Sequence, residues 1–152
     1  MTNASLISNR IKVLALDLEG TLIASASNPI PRPGLYEFLQ WCKSRFKRIV
    51  IYTSVEEDKF RSTANKLVEN KYVPPWFKDV DYIEWDFMIK DLYNIEGITP
   101  EQAIIVDDAE IFIYNNQKSQ WIEIKPFDYP YPADDQELSR VVNIIERNYL
   151  LS

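Results

Sequence analysis

Histidine is absent from the 152 residues of the chain. That removes Ser-His and Cys-His nucleophile activation, imidazole acid/base catalysis and His-ligated zinc. Cysteine occurs once, as Cys42, so no disulfide can form within the sequence, and a reducing, cytoplasmic setting fits. No apolar run approaches the roughly 20 residues of a membrane span. Residues 1–10 are polar, lack the apolar stretch of a signal peptide, and read as a flexible lead-in. Positive charge is scarce: Lys and Arg number 17 against 23 Asp and Glu, a net charge of −6. Such a balance argues against nucleic acid and against anionic membrane as partners, since both need a basic face. Ionic chemistry must therefore rest on carboxylates, lysine, tyrosine and a bound metal. The length, with 46% hydrophobic and 26% charged residues, suits a single globular domain over residues 1–152.

The stretch Val13-Leu14-Ala15-Leu16-Asp17-Leu18-Glu19-Gly20-Thr21-Leu22 organises the chain. Its apolar start suits a strand buried on both faces of a parallel sheet. Asp17 then sits at the carboxyl end of that strand, where open α/β sheets place their ligands. Side chains at i and i+2 of an extended chain point the same way, so Asp17 and Glu19 converge. Like charges that close call for a cation or a shared proton. Gly20 permits a tight turn, and Thr21 adds a hydroxyl.

The remaining elements alternate. A helix is predicted from Gly34 to about Phe46, with Leu35, Phe38, Leu39, Cys42 and Phe46 on one face; Cys42 reads as packing, not as a reactive thiol. A second buried strand, Arg48–Thr53, leads into Ser54-Val55-Glu56-Glu57, a capping-box pattern with Ser54 as N-cap. This places a helix N-terminus, a natural phosphate seat, directly after the strand. That helix runs to about Asn70. The aromatic residues between 71 and 88, Trp76 and Trp85 among them, read as a long connection packed onto the core. Lys90-Asp91-Leu92 opens a short helical stretch, and Thr99-Pro100-Glu101-Gln102 a single turn. Ala103-Ile104-Ile105-Val106-Asp107-Asp108 repeats the opening pattern, a buried strand ending in acids. A strand at Trp121–Ile124 and a last helix from about Asp134 to Tyr149 complete the chain. The alternation predicts a mainly parallel sheet with helices on both faces.

Three buried strands thus end in Asp-x-Glu, in Thr and in Asp-Asp, with Lys90 between the last two. A parallel arrangement gathers all of them at one sheet edge. Several carboxylates offering hard oxygen ligands point to Mg²⁺. A lysine and a hydroxyl beside a metal point to a phosphate guest. A carboxylate can attack a phosphoryl group, and a second carboxyl can protonate the leaving oxygen and then activate water.

In these motifs the chain resembles the haloacid-dehalogenase-like (HAD-like) phosphatases. Within them it is most similar to the small-domain FCP/SCP, or NLI-interacting-factor-like, group. The motifs that carry the resemblance are Leu16–Leu22, Arg32-Pro33-Gly34 with Glu37-Phe38-Leu39, Ile49–Ser54, Lys90-Asp91-Leu92, Ile104–Asp108 and Ile122–Phe127. The resemblance implies a Rossmannoid three-layer α/β/α fold without a large cap domain. It implies a Mg²⁺-dependent phosphatase acting on a phosphate ester, with phosphoproteins among the candidate substrates. Asp17 would be the nucleophile that becomes phosphorylated. Glu19 would supply the general acid/base and a backbone carbonyl to the metal. Thr53, with Ser54, would bind the phosphoryl group, and Lys90 would neutralise its charge. Asp107 and Asp108 would hold the metal, Asp108 more directly. Two features depart from the pattern. Position 19 is Glu where most of the superfamily has Asp, and the short loop after Thr21 lacks the strand-rich insertion of the carboxy-terminal-domain phosphatases. These departures motivate a rival reading, a phosphatase-like fold kept as a binding or scaffold module.

Overall fold

A computed structural model describes residues 10–149. The lead-in expected over residues 1–10 lies, apart from Arg10, outside the described residues. Among the described residues, five strands form one sheet: β1 (Val13–Leu16), β2 (Arg48–Ile51), β3 (Asp81–Tyr82), β4 (Ala103–Asp107) and β5 (Trp121–Glu123). Their order is β3-β2-β1-β4-β5 and every pairing is parallel. β1 is central because its residues Val, Leu, Ala and Leu need no water on either side, and all four are buried. Each fully buried leucine in such a strand contributes about 1.5–3 kcal/mol of apolar transfer.

Three α-helices lie wholly within the described residues: α1 (Leu35–Arg45), α2 (Glu57–Glu69) and α3 (Glu137–Asn148). Leu35, Phe38, Leu39 and Cys42 of α1, Phe60, Ala64 and Leu67 of α2, and Leu138, Val141 and Ile145 of α3 join one core cluster. That cluster holds Leu14, Leu16, Ile49, Ile51, Ile104, Val106 and Ile122 of the sheet. Alternate residues Val13, Ala15, Val50, Tyr52 and Ile105 face the other way and pack with Ile83, Leu92, Ile95 and Ile113. The sheet is therefore covered on both faces, as a three-layer fold requires. The two layers differ, however. One consists of α-helices, and the other is built from loops and 3-10 turns such as Leu92–Asn94 and Asn115–Gln120. Cys42 is wholly buried, and burial pushes its thiol well above the usual range, as packing rather than reactivity requires.

Two local expectations are corrected. Ser54 does not cap α2. The helix begins at Glu57 after an uncapped Glu56, and Ser54 is exposed. The reason is a tight turn: the Thr53 hydroxyl oxygen accepts the Val55 N–H at 3.1 Å, and Val55 turns into the core. The helical stretch expected from Lys90 begins only at Leu92 and is a single 3-10 turn. Strand β3 had no sequence signal, being two residues long and half polar. The aromatic connection behaves largely as expected. Phe77 is buried, and Trp76, Tyr82 and Trp85 are partly buried against the core, whereas Tyr72 and Phe87 stay exposed.

Candidate active site

The parallel register does the first part of the assembly. Leu16 pairs with Ile51 on one side and with Val106 on the other. One residue further on, the Asp17 N–H donates to Val106 O at 3.0 Å and the Tyr52 N–H to Leu16 O at 2.8 Å. Asp17, Thr53 and Asp107 are thereby delivered to one edge of the sheet, all three buried.

Lys90 reaches this edge from outside any strand or helix. Its own N–H donates to Phe112 O at 2.7 Å. The segment that follows is pinned by side chains. Gln117 accepts the Leu92 N–H and donates to the Asp91 carboxylate, each at 2.8 Å, while Tyr52 Oη donates to Asp91 O at 2.8 Å. Lys90 Nζ, almost wholly buried, then donates to Asp17 Oδ1 at 2.9 Å and to Asp107 Oδ2. The rings of Phe112 and Trp85 flank the ammonium at 5.4 and 5.8 Å from their centroids. Burial opposes the charge on Lys90, but the Asp17 and Asp107 carboxylates outweigh it and hold the ammonium above its ordinary value.

The turn after Asp17 brings a hydroxyl. Thr21 Oγ1 donates to Asp17 Oδ2 at 2.8 Å and stands 3.4 Å from Asp108 Oδ1. Gly20 makes this possible. It sits at φ +78°, and a Cβ there would lie 2.6 Å from Asp108 Oδ2. Only glycine allows both the turn and the close approach.

Asp17, Asp107 and Asp108 each offer a carboxylate oxygen within 4.8 Å of the others. Asp107 has both oxygens engaged, one by Lys90 and one by the Ala109 N–H at 2.9 Å. Asp108 is less buried, and among the described residues its side chain accepts only the long bond from the Thr21 hydroxyl. Burial and the close Asp17 carboxylate, with the charge of Asp107 beyond it, push Asp108 up to about 8. Burial and the Asp17 charge, offset in part by Lys90, push Asp107 up to about 6. Crowding of this kind is relieved by a cation, and the all-oxygen donor set suits a hard divalent ion.

The other expected residues fall as follows. The Thr53 hydroxyl spends a lone pair on Val55, which leaves its proton free to donate. Ser54 is exposed beside it. Glu19 Oε2 accepts the Ala26 N–H at 2.7 Å, so the carboxyl is anchored to the short loop.

Comparison with known families decides the class. The family model of the NLI interacting factor-like phosphatases matches residues 12–150. The chain belongs to the NLI interacting factor-like phosphatase family. No curated protein matches it. As a member of that family it is a HAD-like phosphatase, a phosphoric monoester hydrolase. In this NLI interacting factor-like phosphatase, residues 21–32 form a compact loop tied by bridges from Ile23 to Glu19 and to Pro31. Three further residues near the site have roles that the sequence alone does not mark. Gln117 reads as an ordinary polar residue, but it is buried and pins the Lys90 segment. The Trp85 indole donates to Thr53 O at 2.8 Å and walls Lys90, so it does more than pack. Arg32 is wholly buried beneath the Gly20–Thr21 turn, an unusual place for a guanidinium.

Proposed function

We propose that the chain is a Mg²⁺-dependent phosphatase that hydrolyses a phosphate monoester through an aspartyl-phosphate on Asp17. The observation that carries this reading is the state of the Asp17 carboxylate. One oxygen accepts from the Lys90 ammonium at 2.9 Å and the other from Thr21 at 2.8 Å. The two bonds hold the carboxylate in place and fix the direction in which a nucleophilic oxygen would point.

The oxygen donors of Asp17 and Asp108 fit Mg²⁺, with the Glu19 backbone carbonyl as a further ligand and Asp107 behind them. When bound, the ion supplies charge neutralisation and orientation of the phosphoryl group. The chain's own residues do the rest. An Asp17 oxygen forms a bond to phosphorus as the ester P–O bond breaks, and Glu19 gives its proton to the leaving oxygen. Thr53 donates to a phosphoryl oxygen, with Ser54 alongside, and Lys90 balances the phosphoryl charge. Water then gives a proton to Glu19 and attacks phosphorus. The bond from Asp17 to phosphorus breaks, phosphate leaves and the carboxylate is restored.

With no cap domain between Thr21 and Arg32, the site is open and accepts bulky esters, phosphoproteins among them. Cys42, unpaired and buried, is in keeping with a cytoplasmic location. Hydrolysis of an aryl phosphate with Mg²⁺, its loss with EDTA, and its abolition in Asp17→Asn are the expected results. Unchanged turnover in Asp17→Asn refutes the mechanism.

The hold of Ala26 on Glu19 favours one second reading, a binding module with little catalysis, because a carboxyl tied to a loop is a poorer proton carrier. Clean protein that binds phosphate analogues with Mg²⁺ yet fails against a broad panel of phosphate esters would favour that reading.

A further inference from the structure

Arg32 has no part in the chemistry above, yet it is among the most buried large side chains described. Its Nε and Nη2 donate to the two oxygens of Asp135 at 2.8 and 2.9 Å. Its Nη1 donates to Gly20 O at 3.1 Å and Thr21 O at 3.2 Å. The guanidinium also lies over the Phe127 ring, 5.4 Å from its centroid, and the Phe127 N–H donates to Gly20 O at 2.9 Å. Asp135 has its own anchor, accepting the Glu137 N–H at the start of α3 at 3.3 Å. A continuous set of bonds therefore runs from α3 through Asp135 and Arg32 to the turn that carries Thr21.

A buried ion pair is a weak source of stability, because desolvation of both charges offsets their attraction. What this pair does provide is direction. Two carbonyls held by one planar group fix the peptide planes on either side of Thr21. Those planes decide whether the Thr21 hydroxyl meets Asp17 Oδ2, and how closely Gly20 lies against Asp108.

We propose that Arg32 and Asp135 are positioning residues of the phosphoryl-transfer site, holding the Gly20–Thr21 turn so that Thr21 aims the Asp17 carboxylate. This rests on the function proposed above. The clamp acts on the nucleophile rather than on substrate binding, so its loss lowers kcat and leaves KM nearly unchanged.

Asp135→Asn keeps the shape but loses the bidentate acceptor, and Arg32→Lys keeps the charge but loses the fork. Each is to be assayed on an aryl phosphate with saturating Mg²⁺, well below its melting temperature, together with Thr21→Val and the Thr21→Val/Asp135→Asn pair. The expected result for Asp135→Asn is a fall in kcat of about tenfold or more, the scale of a slight misplacement of reacting groups. The double variant should be no slower than Thr21→Val alone by more than about twofold, because both act through one contact. A merely structural pair would lower the melting temperature while kcat per folded molecule stayed at the wild-type value, and that result overturns the proposal. So do losses that simply multiply.

Amide hydrogen exchange gives a readout independent of turnover. In Asp135→Asn, the Gly20 and Phe127 amides should exchange faster while the Asp17 amide in the sheet stays protected. If Arg32→Lys fails to fold, Asp135→Asn carries the test. If the wild-type protein shows no phosphatase activity, the proposed function fails. The exchange pattern then decides whether the clamp exists, and unchanged exchange at Gly20 overturns it.

Discussion

Lys90 donates its buried ammonium to the Asp17 carboxylate at 2.9 Å across a sequence separation of 73 residues. The same ammonium donates to Asp107, so one lysine serves carboxylates at the ends of two neighbouring strands. Lys90→Met removes the cation and leaves those carboxylates buried without it. Breaking a buried pair in this way costs about 3–5 kcal/mol. The expected outcome is a large drop in denaturant midpoint at pH 8 and a smaller one at pH 5, where Asp107, raised to about 6 by burial and the Asp17 charge, can take up a proton instead. Equal losses at both pH values would mean that the packing of the lysine stem, not its charge, is what matters.

The metal-free protein should itself be less stable at pH 8 than at pH 5. Asp108 is raised from 3.8 to about 8 and Asp107 is raised as well, burial being the first cause for both. An acid whose folded-state value exceeds its unfolded one holds its proton more tightly when folded. Its contribution is complete below 3.8 and is lost as pH rises toward about 8. Lys90 is raised above its ordinary 10.5, so its contribution persists throughout this window and is lost only at higher pH. Mg²⁺ should restore more stability at pH 8 than at pH 5, since protons no longer compete for the ligands. Thermal melts with EDTA and with Mg²⁺ at both pH values test this. A metal-free melting temperature that rises from pH 5 to pH 8 would contradict it.

Much of this site was legible because the strands are short, apolar and end in chemistry. Val13–Leu16 and Ala103–Val106 announce buried parallel strands, and parallel register alone carries Asp17 and Asp107 to the same edge. The α1 face from Leu35 to Phe46 was equally clear from its spacing. Other features take their roles from contacts distant in sequence, which no local pattern shows. Gln117 matters through Asp91 and Leu92, and Arg32 through Asp135, 103 residues further along the chain. Ser54 misled because a capping box and a hydroxyl-closed turn share the same residue types. The Thr53 hydroxyl bonding Val55 decided between them. The second covering layer escaped periodicity because 3-10 turns bury single residues such as Leu92 rather than a repeating face.

Gly20→Ala places two demands on one position. The backbone at φ +78° disfavours any side chain, and the new Cβ would stand 2.6 Å from Asp108 Oδ2. The strain costs more than about 1 kcal/mol of stability. The clash pushes aside the carboxylate that is freest to hold a metal. A weaker calorimetric affinity for Mg²⁺ is expected alongside a lower melting temperature. A variant that lost stability but kept wild-type Mg²⁺ affinity would show that Asp108 is not a direct ligand.

Glu19 is the residue on which turnover and mere binding part. Its backbone carbonyl is the part proposed to meet the metal, while its carboxyl, steadied by the Ala26 N–H at 2.7 Å, is the part proposed to carry a proton. Glu19→Gln keeps the length, the backbone carbonyl and an acceptor oxygen for Ala26, and removes only the proton. Mg²⁺ affinity should therefore survive. Hydrolysis of esters with poor leaving groups should fall by about a hundredfold or more, the scale of losing a general acid/base. Esters with good leaving groups need no proton to depart, so formation of the phosphorylated Asp17 should be spared. The slow step then moves to its hydrolysis, which Glu19 must also assist. A burst of released alcohol followed by slow turnover is the expected trace in rapid-mixing experiments. Glu19→Asp should retain substantial activity if the extra methylene only spans the distance to the leaving oxygen. Full activity of Glu19→Gln on a poor leaving group would remove Glu19 from the mechanism, and a tyrosine or a water molecule would have to supply the proton instead.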